Sequence, residues 1–157
     1  MKPQLHVTNP NTLELIDVVV PVENIMFVKP LGGFWTSTYD GGTSAWVDWC
    51  ESEDFGDVER CNWFVLKPKS EARIYEIDAV EDLKYLDVGY PDAQMPAHFN
   101  TALTALDFQR IAQEYDAIHL TERWQWATRF SNPGLCGWDC ESTLWFRWCF
   151  TSVKRVK

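Results

Sequence analysis

The sequence predicts an α+β fold, with strands and short helices mixed along the chain and no strict strand–helix–strand alternation. Runs of aromatic and β-branched residues recur, as in Phe34-Trp35-Thr36-Ser37-Thr38 and Trp63-Phe64-Val65-Leu66. Between them lie segments with apolar residues at helical spacing behind a capping residue. The length of 157 residues, 46% hydrophobic and 24% charged, fits one domain over 1–157 with its own core rather than a disordered chain.

Each element follows from local pattern. Gln4 to Val7 reads as the first strand, and Thr8-Asn9-Pro10-Asn11 as a turn. Asn11 or Thr12 is placed to cap a short helix whose apolar side is Leu13, Leu15 and Ile16. Val18 to Val22, broken by Pro21, reads as an edge strand or an extended loop. Ile25 to Val28 is a further short strand. Pro30-Leu31-Gly32-Gly33 is a turn, and Phe34 to Thr38 the strand after it. Thr43 or Ser44 caps a helix in which Trp46, Val47, Trp49 and Cys50 recur at helical spacing. Glu51 to Glu59 is acidic and solvated. Strands follow at Trp63 to Leu66 and Ala72 to Ile77, then a helix from about Val80 to Leu86 and a proline-bearing loop over Tyr90 to Asn100. Asp107 caps a helix with Phe108, Ile111 and Ala112 on one face, ahead of a strand over Asp116 to Leu120. Trp124 to Gly137 reads as irregular. Asp139 to Phe150 reads as a final strand, or as two strands with a bend.

Bulk properties narrow the function. The net charge of −9 disfavours non-specific contact with phosphate backbones, and Lys154, Arg155 and Lys157 make only a short basic tail. No apolar run approaches a membrane span, and the first residues, Met1 to His6, lack the apolar stretch of a signal peptide. Five cysteines, an odd count, point to reduced thiols and a cytoplasmic setting. Cys136-x3-Cys140 lacks the usual zinc spacing, so no metal is expected. Nine tryptophans and nine phenylalanines supply either an aromatic core or a cleft that stacks flat rings.

On a strand, Asp139 and Glu141 would share a face at about 6.5–7 Å between Cα atoms. Glycoside hydrolysis fits them poorly, since two carboxylates on one strand do not flank a sugar from opposite sides. His6, the hydroxyls of Thr36 and Ser37, Tyr39, Tyr75 and His119 are further polar candidates, each of which also suits ordinary packing. Nucleophile-elbow, phosphate-loop, dinucleotide-fingerprint and H-E-x-x-H patterns are all missing from the sequence.

Taken in order, these segments resemble the ADP-ribosyltransferase superfamily. Leu5-His6-Val7-Thr8 followed by Asn11-Thr12-Leu13 is similar to the first motif of its histidine-containing branches. Trp35-Thr36-Ser37-Thr38 resembles its aromatic-Ser/Thr-x-Ser/Thr strand, and Asp139-Cys140-Glu141 its x-x-Glu motif. The resemblance covers nearly the whole chain as an order of elements, carried by short motifs. Three features depart from it: branches with this hydroxyl strand carry Arg where His6 stands, the spacing of Tyr39 is loose, and Asp139 stands two residues before the Glu, which leaves the acceptor chemistry open. The GG-x-W-T-S and G-W-D-x-E-S patterns are also similar to uncharacterised actinobacterial or phage proteins.

The resemblance implies split mixed or antiparallel sheets flanked by short helices, closed around NAD as substrate. It implies cleavage of the nicotinamide–ribose bond and transfer of ADP-ribose to an acceptor, protein or nucleic acid, or hydrolysis of NAD. Glu141 would stabilise the positive charge that develops on the ribose, and Asp139 would serve the acceptor. His6 would hydrogen-bond the adenosine ribose, and Thr8 would also contact the NAD. Trp35, Thr36, Ser37 and Tyr39 would hold or stack on nicotinamide, Ser37 or Thr36 alternatively bracing Glu141. Arg123, Trp124, Trp126 and Arg129 would form the acceptor loop. The competing expectation is a non-catalytic phage or bacterial regulatory protein that binds through this aromatic loop and the acidic surface of Asp48, Glu51, Glu53, Asp54, Asp57 and Glu59.

Overall fold

Strands form where the β-branched and aromatic runs lie. In this computed structural model, which describes residues 1–25, 29–89 and 104–157, they are β1 (Gln4–Thr8), β2 (Phe34–Thr38), β3 (Asn62–Pro68), β4 (Ile74–Ile77), β5 (Val88–Gly89), β6 (Ala105–Leu106), β7 (Ala117–Leu120), β8 (Ser142–Trp145) and β9 (Phe150–Arg155). The helices are α1 (Ala45–Ser52), α2 (Phe108–Glu114) and α3 (Gln125–Arg129). Single 3₁₀ segments occupy Val58–Arg60, Val80–Tyr85 and Glu122–Trp124. The protein is α+β: a curled seven-stranded mixed sheet in the order β4-β7-β8-β2-β1-β3-β9, with short helices against it. Among the described strand pairs only β4–β7 is parallel, and β5–β6 form a separate small hairpin-like pair.

The middle of this sheet is thinly joined. β1 and β2 pair only through Gln4–Thr38 and Leu5–Ser37, whereas β1–β3 pairs over five residues from Gln4 to Thr8. Beyond Leu5 the backbones of β1 and β2 part. Below the parting, a buried polar knot ties three strands. Gln4 Oε1 accepts from Thr36 Oγ1 at 2.8 Å and from Thr143 Oγ1 at 2.9 Å, while Thr36 Oγ1 accepts from Trp145 Nε1 at 2.9 Å. Every member has a partner, the condition under which a buried polar network is tolerated.

Strand alternation divides the core between the two faces of the sheet. On one face Leu144, Ile118, Leu120 and Ile77 pack with Ile111 of α2, with Trp138 and with Leu135. On the other, Trp145 packs with Phe64, Leu66, Ala117 and Phe150. A third cluster seats Val47 and Cys50 of α1 on Leu5 and Trp63. Each fully buried large side chain contributes about 1.5–3 kcal/mol. Ser44 caps α1 by accepting from the Val47 amide, and Asp107 caps α2 by accepting from the Arg110 amide. Gly32 turns the chain into β2 at φ +73°, where a Cβ would collide with the Pro21 carbonyl.

Three expectations differ from the structure, and a fourth, left between two alternatives, resolves to one of them. No helix forms over 11–16: Leu13 and Ile16 have no core to face and stay exposed. The Pro10 and Thr12 carbonyls instead accept from Asn62 Nδ2, each at 2.8 Å. Residues 18–22 form no strand; the extended loop alternative holds, with Val22 buried and an isolated bridge between Glu23 and Leu31. Within 124–137 the chain forms α3 rather than remaining irregular throughout. Of the final segment's two alternatives, two strands form, and the first of them, β8, begins at Ser142, so Asp139 and Glu141 precede it and do not share a strand face. The expected strand over 25–28 and the loop over 90–100 fall largely outside the described residues, although Ile25 itself is exposed and not in a strand. No helix among the described residues is long and apolar enough to cross a membrane.

Candidate functional site

Glu141 is the most densely hydrogen-bonded carboxylate of the described residues around the sheet, and its residue is only 6% exposed. The ladder between β2 and β8 ends at the pair Thr36–Thr143. Two residues further, the Thr38 amide meets the Glu141 side chain, donating at 2.9 Å to Oε2 and 3.2 Å to Oε1. Thus a carboxylate completes the seam where a strand carbonyl would otherwise accept. Oε1 also accepts from Thr38 Oγ1 at 2.8 Å and from His119 Nε2 at 2.8 Å. Oε2 accepts from Ser37 Oγ at 2.6 Å. Burial opposes the charge, yet the bonds from His119, Ser37 and Thr38 outweigh it and hold the carboxyl below its ordinary range. Glu141 is therefore an anion at neutral pH.

Ser37 connects this anion to a pocket. Its hydroxyl donates to Glu141 and accepts from the Trp46 amide, in the first turn of α1, at 3.3 Å. The pocket, about 210 Å³, opens where β1 and β2 part, and is lined by Leu5, His6, Trp35, Ser37, Trp46 and Lys29 with their neighbours. That volume admits one flat ring with part of a sugar rather than a whole dinucleotide. Lys29 Nζ lies 5.1 Å from the Trp35 ring centroid and 5.7 Å from that of Trp46, adding a cation at the wall.

His6 bridges the parting strands. Its Nδ1 is 2.7 Å from the Trp35 carbonyl, and its ring packs on Phe34 with centroids 4.3 Å apart. Burial lowers its basicity below that of an ordinary histidine, outweighing the Trp35 bond, so the ring is neutral at pH 7. A carbonyl only accepts, so Nδ1 carries the proton and Nε2 presents a lone pair.

The structure brings His6, Trp35, Thr36 and Ser37 to one pocket wall, with Glu141 bonded behind Ser37, and separates the remaining candidates from them. Thr36 contributes to the pocket wall, but its hydroxyl is committed to Gln4 and Trp145 on the opposite face. Thr8 spends its hydroxyl on the Asn9 and Asn62 carbonyls and is not in the wall. Tyr39 packs beside α1 and borders a different hollow, with Asp48 and Trp63. Asp139 is no neighbour of Glu141 in a carboxylate pair; it forms ion pairs with Lys29 at 3.7 Å and Arg129 at 3.6 Å. Cys140, between them, is buried, and burial pushes its thiol up to about 11. Of the expected acceptor loop, Arg123 stands 5.5 Å over Trp124 and Arg129 5.6 Å over Trp126. Trp126 and Phe130 are 72% and 79% exposed.

Sequence reasoning left three residues of this constellation without a role. Lys29 lies in a connection with no motif. Trp46 reads as one more apolar position on α1. His119 leaves a faint trace, as the only polar side chain in Ala117-Ile118-His119-Leu120. Comparison with protein-family models, with curated proteins and with solved structures finds no match for the chain.

Proposed function

We propose that the protein is a mono-ADP-ribosyltransferase or NAD glycohydrolase, with NAD as its substrate. The observation that carries this reading is Ser37, a residue of the pocket wall whose hydroxyl holds the buried Glu141 carboxylate at 2.6 Å. A fixed, water-poor anion beside an aromatic pocket suits a reaction whose transition state is a cation at a sugar carbon. The bond between the ribose C1′ and the nicotinamide nitrogen breaks, and its electron pair leaves with nicotinamide. The positive charge spreads over C1′ and the ring oxygen, and Glu141 Oε2 stabilises it. An acceptor nucleophile, or water, then bonds to C1′ and loses a proton.

The other residues divide the substrate between them. Trp35 and Trp46 flank the flat ring. His6 Nε2, its lone pair fixed by the bond from Nδ1 to Trp35, accepts a ribose hydroxyl. Lys29, a cation in the pocket wall, would pair with a phosphate of the substrate. Asp139, Arg129 and the exposed Trp126 form the acceptor side. This departs from a plain Asp139–Glu141 partnership, since Asp139 reaches the site through cations.

The test is incubation with NAD and measurement of free nicotinamide, repeated with Glu141→Gln. Loss of about 10²–10³ in rate is expected for removal of one such electrostatic group. Turnover unchanged in the variant removes Glu141 from the mechanism. No nicotinamide from the unaltered protein with protein, nucleic-acid or water as acceptor favours a second reading, a regulatory binding protein. The exposure of Trp126 and Phe130 on one short helix and its end supports that alternative, because amphipathic aromatic anchors are typical of binding surfaces.

A further inference from the structure

We infer that His119 is a positioning residue for Glu141: its ring fixes Oε1, so that Oε2 stays turned toward Ser37 and the pocket. The inference rests on the proposed reaction for its kinetic consequence, and on geometry alone for the carboxylate's orientation.

β7 lies between β4 and β8, and the register places His119 beside Thr143 on one side and Glu76 on the other. Glu141 lies two residues before Thr143, so the imidazole reaches it along the strand edge. The His119 side chain is 11% exposed, and its Nε2 lies 2.8 Å from Oε1. An ionised carboxylate has no proton to give, so Nε2–H is the donor and the tautomer is fixed at that nitrogen.

The two carboxylate oxygens then differ in which donors they hold. Oε1 takes His119 and Thr38 Oγ1, with a long contact from the Thr38 amide. Oε2 takes Ser37 and the short bond from the Thr38 amide. With about four lone-pair sites per carboxylate, these four short bonds occupy both oxygens, and only Oε2 is bonded to a residue of the pocket wall. Without His119, Oε1 would have only donors from Thr38, and the carboxylate could rotate away from Ser37.

The far side of the ring is loosely held. Nδ1 is buried and has no hydrogen bond, although Glu76 Oε2 lies 3.4 Å away. Glu76 is 63% exposed on its side chain, so it offers a weak, screened field rather than a clamp. The orienting contact therefore runs from His119 to Glu141 and not through Glu76.

Three variants test this, read by nicotinamide release and by the ¹³C titration of the Glu141 carboxyl. His119→Leu keeps the bulk and removes the donor. We expect kcat to fall about 10- to 100-fold with KM within about threefold, as for loss of an outer hydrogen bond to a working group, and the Glu141 titration midpoint to move up. His119→Gln returns an N–H near the Nε2 position, and should restore kcat to within about tenfold of the original and bring the midpoint back. Glu76→Gln should change neither by more than about twofold. Thermal unfolding of each variant identifies any that fails to fold, in which case the Gln variant carries the comparison. An unmoved Glu141 midpoint in folded His119→Leu overturns the inference, as does a Gln variant no better than Leu. If the unaltered protein releases no nicotinamide but the midpoint moves as expected, the orienting role stands and the proposed reaction falls.

Discussion

Ser37 Oγ lies 2.6 Å from Glu141 Oε2, and the same hydroxyl accepts from the Trp46 amide at 3.3 Å. One side chain thus links the first turn of α1, strand β2 and the residue ahead of β8. Ser37→Ala should cost about 1–3 kcal/mol, because the Trp46 amide and the carboxylate each lose a partner. It should also reduce nicotinamide release about 10-fold to 100-fold. Urea unfolding and the NAD assay read the two effects separately. A variant as stable and as active as the original protein contradicts the bracing role.

Acid should weaken the fold through Glu141. Its carboxyl titrates lower in the folded protein than in the unfolded chain, as burial is outweighed by bonds from His119, Ser37 and Thr38. The unfolded state therefore binds the proton first as pH falls. The stabilisation is complete above the ordinary carboxylate range and is lost as pH drops through the lower folded-state value. Stability measured against pH should show this loss, and Glu141→Gln should flatten it.

His6 predicts a second acid-side slope at milder pH. Burial lowers its folded-state pKa, so the unfolded chain again takes up the proton first. Stability should decline as pH falls below the ordinary histidine value and continue down to the folded one. His6→Asn, which keeps a donor near the Nδ1 position for the Trp35 carbonyl, should abolish this component. An unchanged profile between pH 7 and 5 in that variant would count against a buried neutral imidazole.

Gln4→Leu should cost about 3 kcal/mol. The substitution leaves the Thr36 and Thr143 hydroxyls without the acceptor that both now share. It strikes the joint where β1 and β2 have only two paired positions, so amide exchange should quicken in both strands. Equal exchange rates in the two proteins would show that the knot does not hold the joint.

Thiol labelling should be sharply selective in the folded state. Cys136 is exposed, whereas Cys50 and Cys140 are buried and burial raises both thiols, that of Cys140 to about 11. Limited alkylation followed by peptide mapping should mark Cys136 first and leave Cys140 unmarked until unfolding.

Much of the sheet was legible. The Gly32-Gly33 turn into β2, the Ser44 and Asp107 caps, and the strands around Trp63 and Ile118 follow from periodicity and turn chemistry, both local properties. The failures share a cause in partners distant in sequence. Residues 11–16 carry helical spacing, but Asn62 claims the carbonyls of Pro10 and Thr12 from about fifty positions away. Asp139 and Glu141 alternate as strand residues do, yet Lys29 and Arg129 draw one aside while Ser37, Thr38 and His119 hold the other. Ser37 could be singled out by its strand. Only tertiary contact distinguishes His119 from a histidine that merely fills space, or gives Trp46 a place in the pocket wall.

Glu141 stands where a main-chain carbonyl would usually close the seam between β2 and β8. A carbonyl is common to every residue and survives every substitution; a carboxylate depends on a single codon. The seam is thereby mutable at one position, and a replacement of Glu141 that cannot accept leaves the Thr38 amide without this partner. Only Gln, close to it in shape and still able to accept from the Thr38 amide, separates the loss of charge from the loss of architecture.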